Sequence, residues 1–177
     1  MHINGGQNFA LKIQVSQSSS VDDKPSGFRA VDGDTSGDFD QQTCTHSKHE
    51  DPMPTLVFNF PRSYLFTRFL VYNRDDEQGT RLKGFMLEAL GENGKRVLRY
   101  QDKDKSPEFK TTYEVLNAVG WKRPIIKVEI SQTYISDIDS VPILTVCEFE
   151  SYGECPPRTW NLECEKCVGC YNDTCVW

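Results

Sequence analysis

The sequence predicts an all-β fold, a sandwich or barrel of short strands with long loops gathered at one end. Three observations predict it. Strand-length runs rich in aliphatic and aromatic residues recur along the chain, and several alternate, as in Ile126-Lys127-Val128-Glu129-Ile130, so that apolar residues share one face of a pleat. Turn signals separate these runs. No segment sustains helical periodicity beyond about three turns.

Taken in order, residues 1–7 read as a polar lead-in or tag remnant. From 17 to 42 the text is loop-like, with Ser18-Ser19-Ser20, Asp32-Gly33-Asp34 and Ser36-Gly37-Asp38 marking connections longer than a tight hairpin. Strand runs then follow at 56–60, 66–72, 84–90, 96–100, 125–130 and 144–152. Gly91-Glu92-Asn93-Gly94 and the stretch 101–107 read as turns between them. A length of 177 residues fits one domain with room for a short appendage.

Composition excludes several classes. Twenty Lys and Arg against 26 Asp and Glu leave a net charge of −6, which disfavours nucleic acid as a partner. No stretch approaches the roughly 18 apolar residues of a membrane-spanning helix, and the polar N-terminus lacks a signal peptide's apolar core. Seven cysteines divide unevenly. The body holds Cys44 and Cys147, and the last 23 residues hold Cys155, Cys164, Cys167, Cys170 and Cys175. Such clustering predicts a disulfide-stapled tail and an extracellular compartment. Zinc would want a His in the tail or two separated Cys-x-x-Cys pairs, and neither occurs. The odd count leaves one thiol free, or for a second chain, hence a possible homo-oligomer, or for a partner beyond this sequence. Asn172-Asp173-Thr174 fits an N-glycosylation acceptor.

Three constellations carry chemistry. Arg74-Asp75-Asp76-Glu77-Gln78-Gly79-Thr80-Arg81 follows a strand, two guanidinium forks straddling three acids. Such forks suit carboxylates, phosphates or sugar hydroxyls, and the plain reading is a solvated charged turn. Cys44-Thr45-His46-Ser47-Lys48-His49 opens another loop. Cys147 is the expected partner of Cys44, which leaves no thiol for nucleophilic catalysis. Asp32, Asp34 and Glu148, with the Thr43 hydroxyl, form a hard-oxygen set that suits Ca2+, and an Asp-Gly turn capped by its own side chain is the plain reading. No paired acids or nucleophile motif argues for an enzyme.

Several segments, taken in order, resemble the F-type lectins, or fucolectins, which share the discoidin or coagulation-factor C-terminal jelly roll. They are Asn8-Phe9-Ala10-Leu11, Gln17-Ser18-Ser19, Arg29-Ala30-Val31-Asp32-Gly33, Cys44-Thr45-His46, Tyr72-Asn73-Arg74, Arg81-Leu82-Lys83-Gly84-Phe85 and Val146-Cys147-Glu148. The resemblance covers 8–153 and includes the family's binding signature as His46, Arg74-Asp75-Asp76 and Arg81. It implies a jelly-roll β-sandwich and a lectin for α-L-fucose or fucosylated glycans. His46, Arg74 and Arg81 would donate to the sugar, Asp76 would orient both arginines, and Phe39 would wall the fucose methyl. It further implies a structural Ca2+ on the main-chain carbonyls of Arg29 and Cys147 with Asp32, Asp34, Thr43 and Glu148. The competing reading is a discoidin-type module that has left sugar behind and binds protein or a membrane surface.

The chain departs from the family pattern at three points. One extra residue lies between His46 and Arg74, and Glu77-Gln78 replaces an adjacent cysteine pair. Thr55-Leu56-Val57-Phe58-Asn59-Phe60 replaces a tryptophan-rich strand. The tail, 154–177, resembles the opening of an EGF-like module and is shorter than a complete one.

Overall fold

The structure is a computed structural model that describes residues 7–22, 26–118 and 122–154, and the backbone of 159–160 and 165–166. Antiparallel pairing builds two sheets that share one strand. In the first, β1 (Gln14–Gln17), the leading half of β2 (Thr55–Tyr72), β6 (Ile125–Ser131), β3 (Met86–Leu90) and β4 (Arg96–Gln101) lie side by side in that order. In the second, the trailing half of β2 runs between β5 (Thr112–Leu116) and β7 (Glu148–Glu154). A separate pair joins β8 (Thr159–Trp160) to β9 (Glu165–Lys166). The tail cysteines, the EGF-like resemblance and the Asn172 acceptor lie outside the described residues. Among those residues, no helix is long and apolar enough to cross a membrane.

The two expected strands at 56–60 and 66–72 are one 18-residue strand that changes sheets midway. Burial explains how. Leu56, Phe58 and Phe60 point inward at even positions, whereas Phe69 and Val71 point inward at odd ones. A change of parity needs a bulge; Tyr64 and Phe66 are still buried at even positions, and the ladder with β7 then shifts register between Phe66 and Arg68. Pro61 sits earlier, where the ladder with β6 shifts register between Asn59 and Tyr64 and a missing N–H costs no ladder hydrogen bond.

The expected strand at 144–152 is also displaced, because only Glu148–Glu154 joins a ladder. Residues 144–146 instead run beside the His46 loop. Thr45 N–H donates to the Val146 carbonyl (2.8 Å) and Ser47 N–H to that of Leu144 (3.1 Å). Neither β1 nor β5 was expected from the sequence. β1 is polar and half-exposed, and β5 is five residues long between charged loops.

The core fills the space between the sheets. Phe58 of the first sheet stacks on Phe149 of the second, ring centroids 4.1 Å apart, and Phe60 meets Phe66 at 4.7 Å. Both Phe58 and Phe149 are fully buried, so truncating either to alanine costs about 3–5 kcal/mol. The Cys44–Cys147 disulfide closes a span of 103 residues, worth about 4–5 kcal/mol in chain entropy, and ties the His46 loop to the start of β7.

Candidate functional site

Three loops meet at the end of β2. Asn73 builds the first. Its side-chain Oδ1 accepts from the Arg74 N–H (2.9 Å), while its Nδ2 donates to the carbonyls of Gly79 (2.8 Å) and Lys110 (2.9 Å). That closes a short loop running into a 3-10 turn, Glu77–Leu82, whose N-cap is Asp76. The loop before Phe39 lies against it so closely that a Cβ on Gly37 would stand 2.8 Å from the Asp75 nitrogen. Only glycine permits that approach.

The approach lays the Phe39 ring over the Arg74 guanidinium, 3.9 Å from its centroid. Phe39 also stands 5.6 Å from the His46 ring. Arg74 Nε donates to Asp76 Oδ1 (2.8 Å), and Nη2 pairs with Oδ2 of the same carboxylate. Arg74 Nη1 is buried and has no hydrogen-bond partner.

Arg81 is held differently from expectation. Its Nε and Nη2 grip Asp139 in a bidentate pair (2.9 and 2.8 Å), and its Nη1 reaches His46 Nε2 (3.0 Å) and Gln78 Oε1 (2.5 Å). Asp76 thus orients Arg74, and Asp139 orients Arg81. Ser136 Oγ–H donates to Asp139 (2.5 Å). Burial works against the Asp139 carboxylate, but Arg81 and Ser136 outweigh it and hold its pKa below the ordinary value. For Asp76, the hydrogen bond from Arg74 lowers the pKa. Asp139 escaped the sequence reading because nothing around it forms a motif.

His46 also departs from its expected role. Its Nδ1–H donates to the Ser47 carbonyl (2.6 Å), so neutral Nε2 is an acceptor and takes an N–H from Arg81. Burial lowers its pKa below 6.5 despite the Ser47 bond, and Arg81 and Arg74 push it the same way. The imidazole is therefore neutral at physiological pH. The extra residue after His46 leaves it in contact with Arg81.

The oxygen set assembles in part. Glu148 is fully buried. Its Oε2 accepts from Gly33 N–H (3.3 Å), and its Oε1 has no partner. Burial first, then the negative charge of Asp32, raises its pKa to about 8. Asp32 and Glu148 are thereby neighbours. Asp34, by contrast, is exposed with Oδ1 accepting from Ser36 N–H (2.9 Å), and Thr43 Oγ1–H donates to the Asp38 carbonyl (2.7 Å). The Arg29 guanidinium donates to Asp22 (3.0 Å) and the Cys44 carbonyl (3.2 Å). Among the described residues, no three His, Cys, Asp or Glu side chains converge on a metal position. A buried carboxylate with an orphaned oxygen beside a second acid nevertheless fits a hard cation completed by main-chain carbonyls.

A groove of about 590 Å3 between Gly91–Val97 and Arg123–Pro124 lies at the other end of β3. Its Glu92, Asn93 and Arg96 already bond to Ser63, Lys95 and Glu88, so the cluster around Arg74 carries more unspent chemistry.

No protein-family model matches the chain, and no curated protein matches it in sequence. Solved structures do. The lectin domain of lectinolysin, complexed with Lewis B antigen, is similar at 23% identity with a TM-score of 0.70, over 84% of this chain and 98% of that one. A fucose-binding module of Streptococcus pneumoniae, SpX-3, is similar at 25% identity and a TM-score of 0.69, over 82% and 97%. A fucolectin from striped bass (Morone saxatilis) serum is similar at 22% identity and a TM-score of 0.65, over 84% of this chain and 49% of that one. The fold is that of the F-type lectin modules, in agreement with the resemblance read from the sequence.

Proposed function

We propose that this chain, which carries the fold of the F-type lectin modules, is a non-catalytic carbohydrate-binding protein whose inner ligand is α-L-fucose on a glycan. The observation that carries the reading is Arg74 Nη1, a buried donor with no acceptor, on a guanidinium covered by the Phe39 ring, which also stands against His46, itself bonded to Arg81. Buried donors without partners are uncommon, and a neutral sugar supplies lone pairs in a fixed pattern. Ring oxygen and hydroxyl oxygens accept from Arg74 and Arg81, while a hydroxyl proton goes to His46 Nε2. The half-exposed Phe39 ring moves from over the guanidinium and lines the pocket against the sugar's methyl group. The lectin modules named above share this fold and support the sugar class.

Glu148 Oε1, Asp32 and neighbouring carbonyls, those of Arg29 and Cys147 among them, would hold a structural Ca2+. The ion neutralises the buried carboxylate and fixes the Asp32–Thr43 loop relative to β7. The disulfide supports an extracellular setting. Calorimetric titration of L-fucose into the protein, first with calcium and then with a chelator, tests both parts. Binding that weakens on chelation supports them together. No heat at millimolar fucose refutes the sugar assignment.

A further inference from the structure

Eight large apolar side chains are exposed among the described residues, and three of them, Tyr134, Ile135 and Ile138, fall within five positions of one loop. That loop leaves β6 and arrives at the candidate site. Its root is rigid, because Gln132 Nε2 donates to the Arg81 and Lys83 carbonyls (2.7 and 2.8 Å) while Oε1 accepts from the N–H groups of Thr133 and Tyr134. Tyr134 packs over Gly84, where an added Cβ would stand 3.1 Å from its own Cβ. The loop's far end is Asp139, which clamps the Arg81 guanidinium. Ile138, 57% exposed, is therefore one residue from a group that touches the site.

Resting on the fucose reading, we propose that Tyr134, Ile135 and Ile138 form a second contact surface for the same glycan, taking the apolar C–H face of the pyranose next to the terminal fucose. Pyranose rings offer such a face together with a rim of hydroxyls, and the exposed Asp137 stands among the three apolar residues to accept from that rim. An anionic lipid surface suits the patch poorly. The loop carries Asp137, Asp75 to Glu77 stand exposed on the neighbouring loop, and the chain is net negative at −6. Three exposed apolar residues on one loop with an anchored root, beside a polar pocket, suit a rim that reads what is attached to the inner ligand.

The test uses methyl α-L-fucoside, a fucosylated tetrasaccharide and phosphatidylcholine–phosphatidylserine vesicles against the whole chain and a triple variant, Tyr134→Ser, Ile135→Ser, Ile138→Ser. Covering even ~60 Å2 of apolar surface gives about tenfold in affinity. The wild type is expected to bind the tetrasaccharide about tenfold tighter than the methyl glycoside. The variant should keep the methyl-glycoside affinity within twofold and lose the preference. Equal wild-type affinities, or a preference the variant retains, would overturn the rim. Vesicle binding that the variant loses and sugar does not compete would overturn it in favour of a membrane. No binding of either sugar removes the fucose reading, and the rim falls with it.

Discussion

Replacing Asp139 with alanine takes away the acceptor of two Arg81 N–H bonds and the only carboxylate bonded to that guanidinium among the described residues. Both side chains are buried, 9% and 4% exposed, so the cation left behind has little water to turn to. Removing one partner of such a pair typically costs about 3–5 kcal/mol. For a domain of this size, that lowers Tm by about 6–15 °C. Asp76→Ala is the internal control. It deletes the corresponding partner of Arg74, itself only 3% exposed, but Asp76 is 45% exposed, so its removal opens a path to that guanidinium for water, which replaces much of what is lost. Its cost is about 1–2 kcal/mol, most of it from the N-cap of the 3-10 turn.

Thermal denaturation ranks the two variants, and fucose titration accompanies it, since a tilted Arg81 presents Nη1 at the wrong angle. The double variant Arg81→Met, Asp139→Leu separates the two readouts. Apolar groups of similar volume should restore Tm to within a few degrees while binding stays lost. If Asp139→Ala costs no more than Asp76→Ala, the burial argument fails. Asp139 would then not be what holds Arg81.

Three further outcomes follow from the same geometry. Arg74→Ala should weaken fucose binding at least a hundredfold in calorimetry while lowering Tm modestly, because it deletes the unpartnered donor and the surface under Phe39. Acidification should act through His46, whose folded pKa lies below the unfolded 6.5. Its stability contribution is complete above 6.5 and is lost as pH falls through the folded value, so His46→Gln should flatten that part of the Tm–pH curve and of the fucose-affinity profile. For Glu148 the sign is opposite. With its pKa raised from 4.5 to about 8, the metal-free protein loses stability as pH rises across that interval, and calcium should stabilise most at its upper end. Glu148→Gln should abolish that calcium response in differential scanning calorimetry.

Local patterns made most of this protein legible in its sequence. The alternating runs located β3, β4 and β6 to within a few residues, because each packs its apolar residues toward the core. β2 was split in two because Pro61, Arg62 and Ser63 interrupt the apolar run where the strand parts from β6, whereas its inward parity reverses only after Phe66. The run at 144–152 was read as ladder throughout, yet 144–146 spends its backbone on the His46 loop, a pairing set by the Cys44–Cys147 bridge rather than by propensity. Arg74 and Arg81 were legible because they flank one turn, seven residues apart. Asp139 was not: it lies 58 residues from Arg81, and no periodicity links them.

The replacement of a cysteine pair by Glu77-Gln78 gains a physical meaning from the same bonds. Glu77 stays exposed, so its charge is spent on solvent. Gln78 turns inward and occupies Arg81 Nη1 alongside His46, which leaves Arg81 nearly saturated while Arg74 keeps an idle donor. On the fucose reading, a sugar oxygen would meet no competing acceptor at Arg74 Nη1 once the Phe39 ring has moved aside, and would have to displace a carboxamide to reach Arg81. Each exchange of Gln78 for sugar swaps one hydrogen bond for another and gains little. On that reading, the inner pocket would be weaker for a lone monosaccharide than one whose two arginines both wait unpaired, and the proposed rim would carry its selectivity.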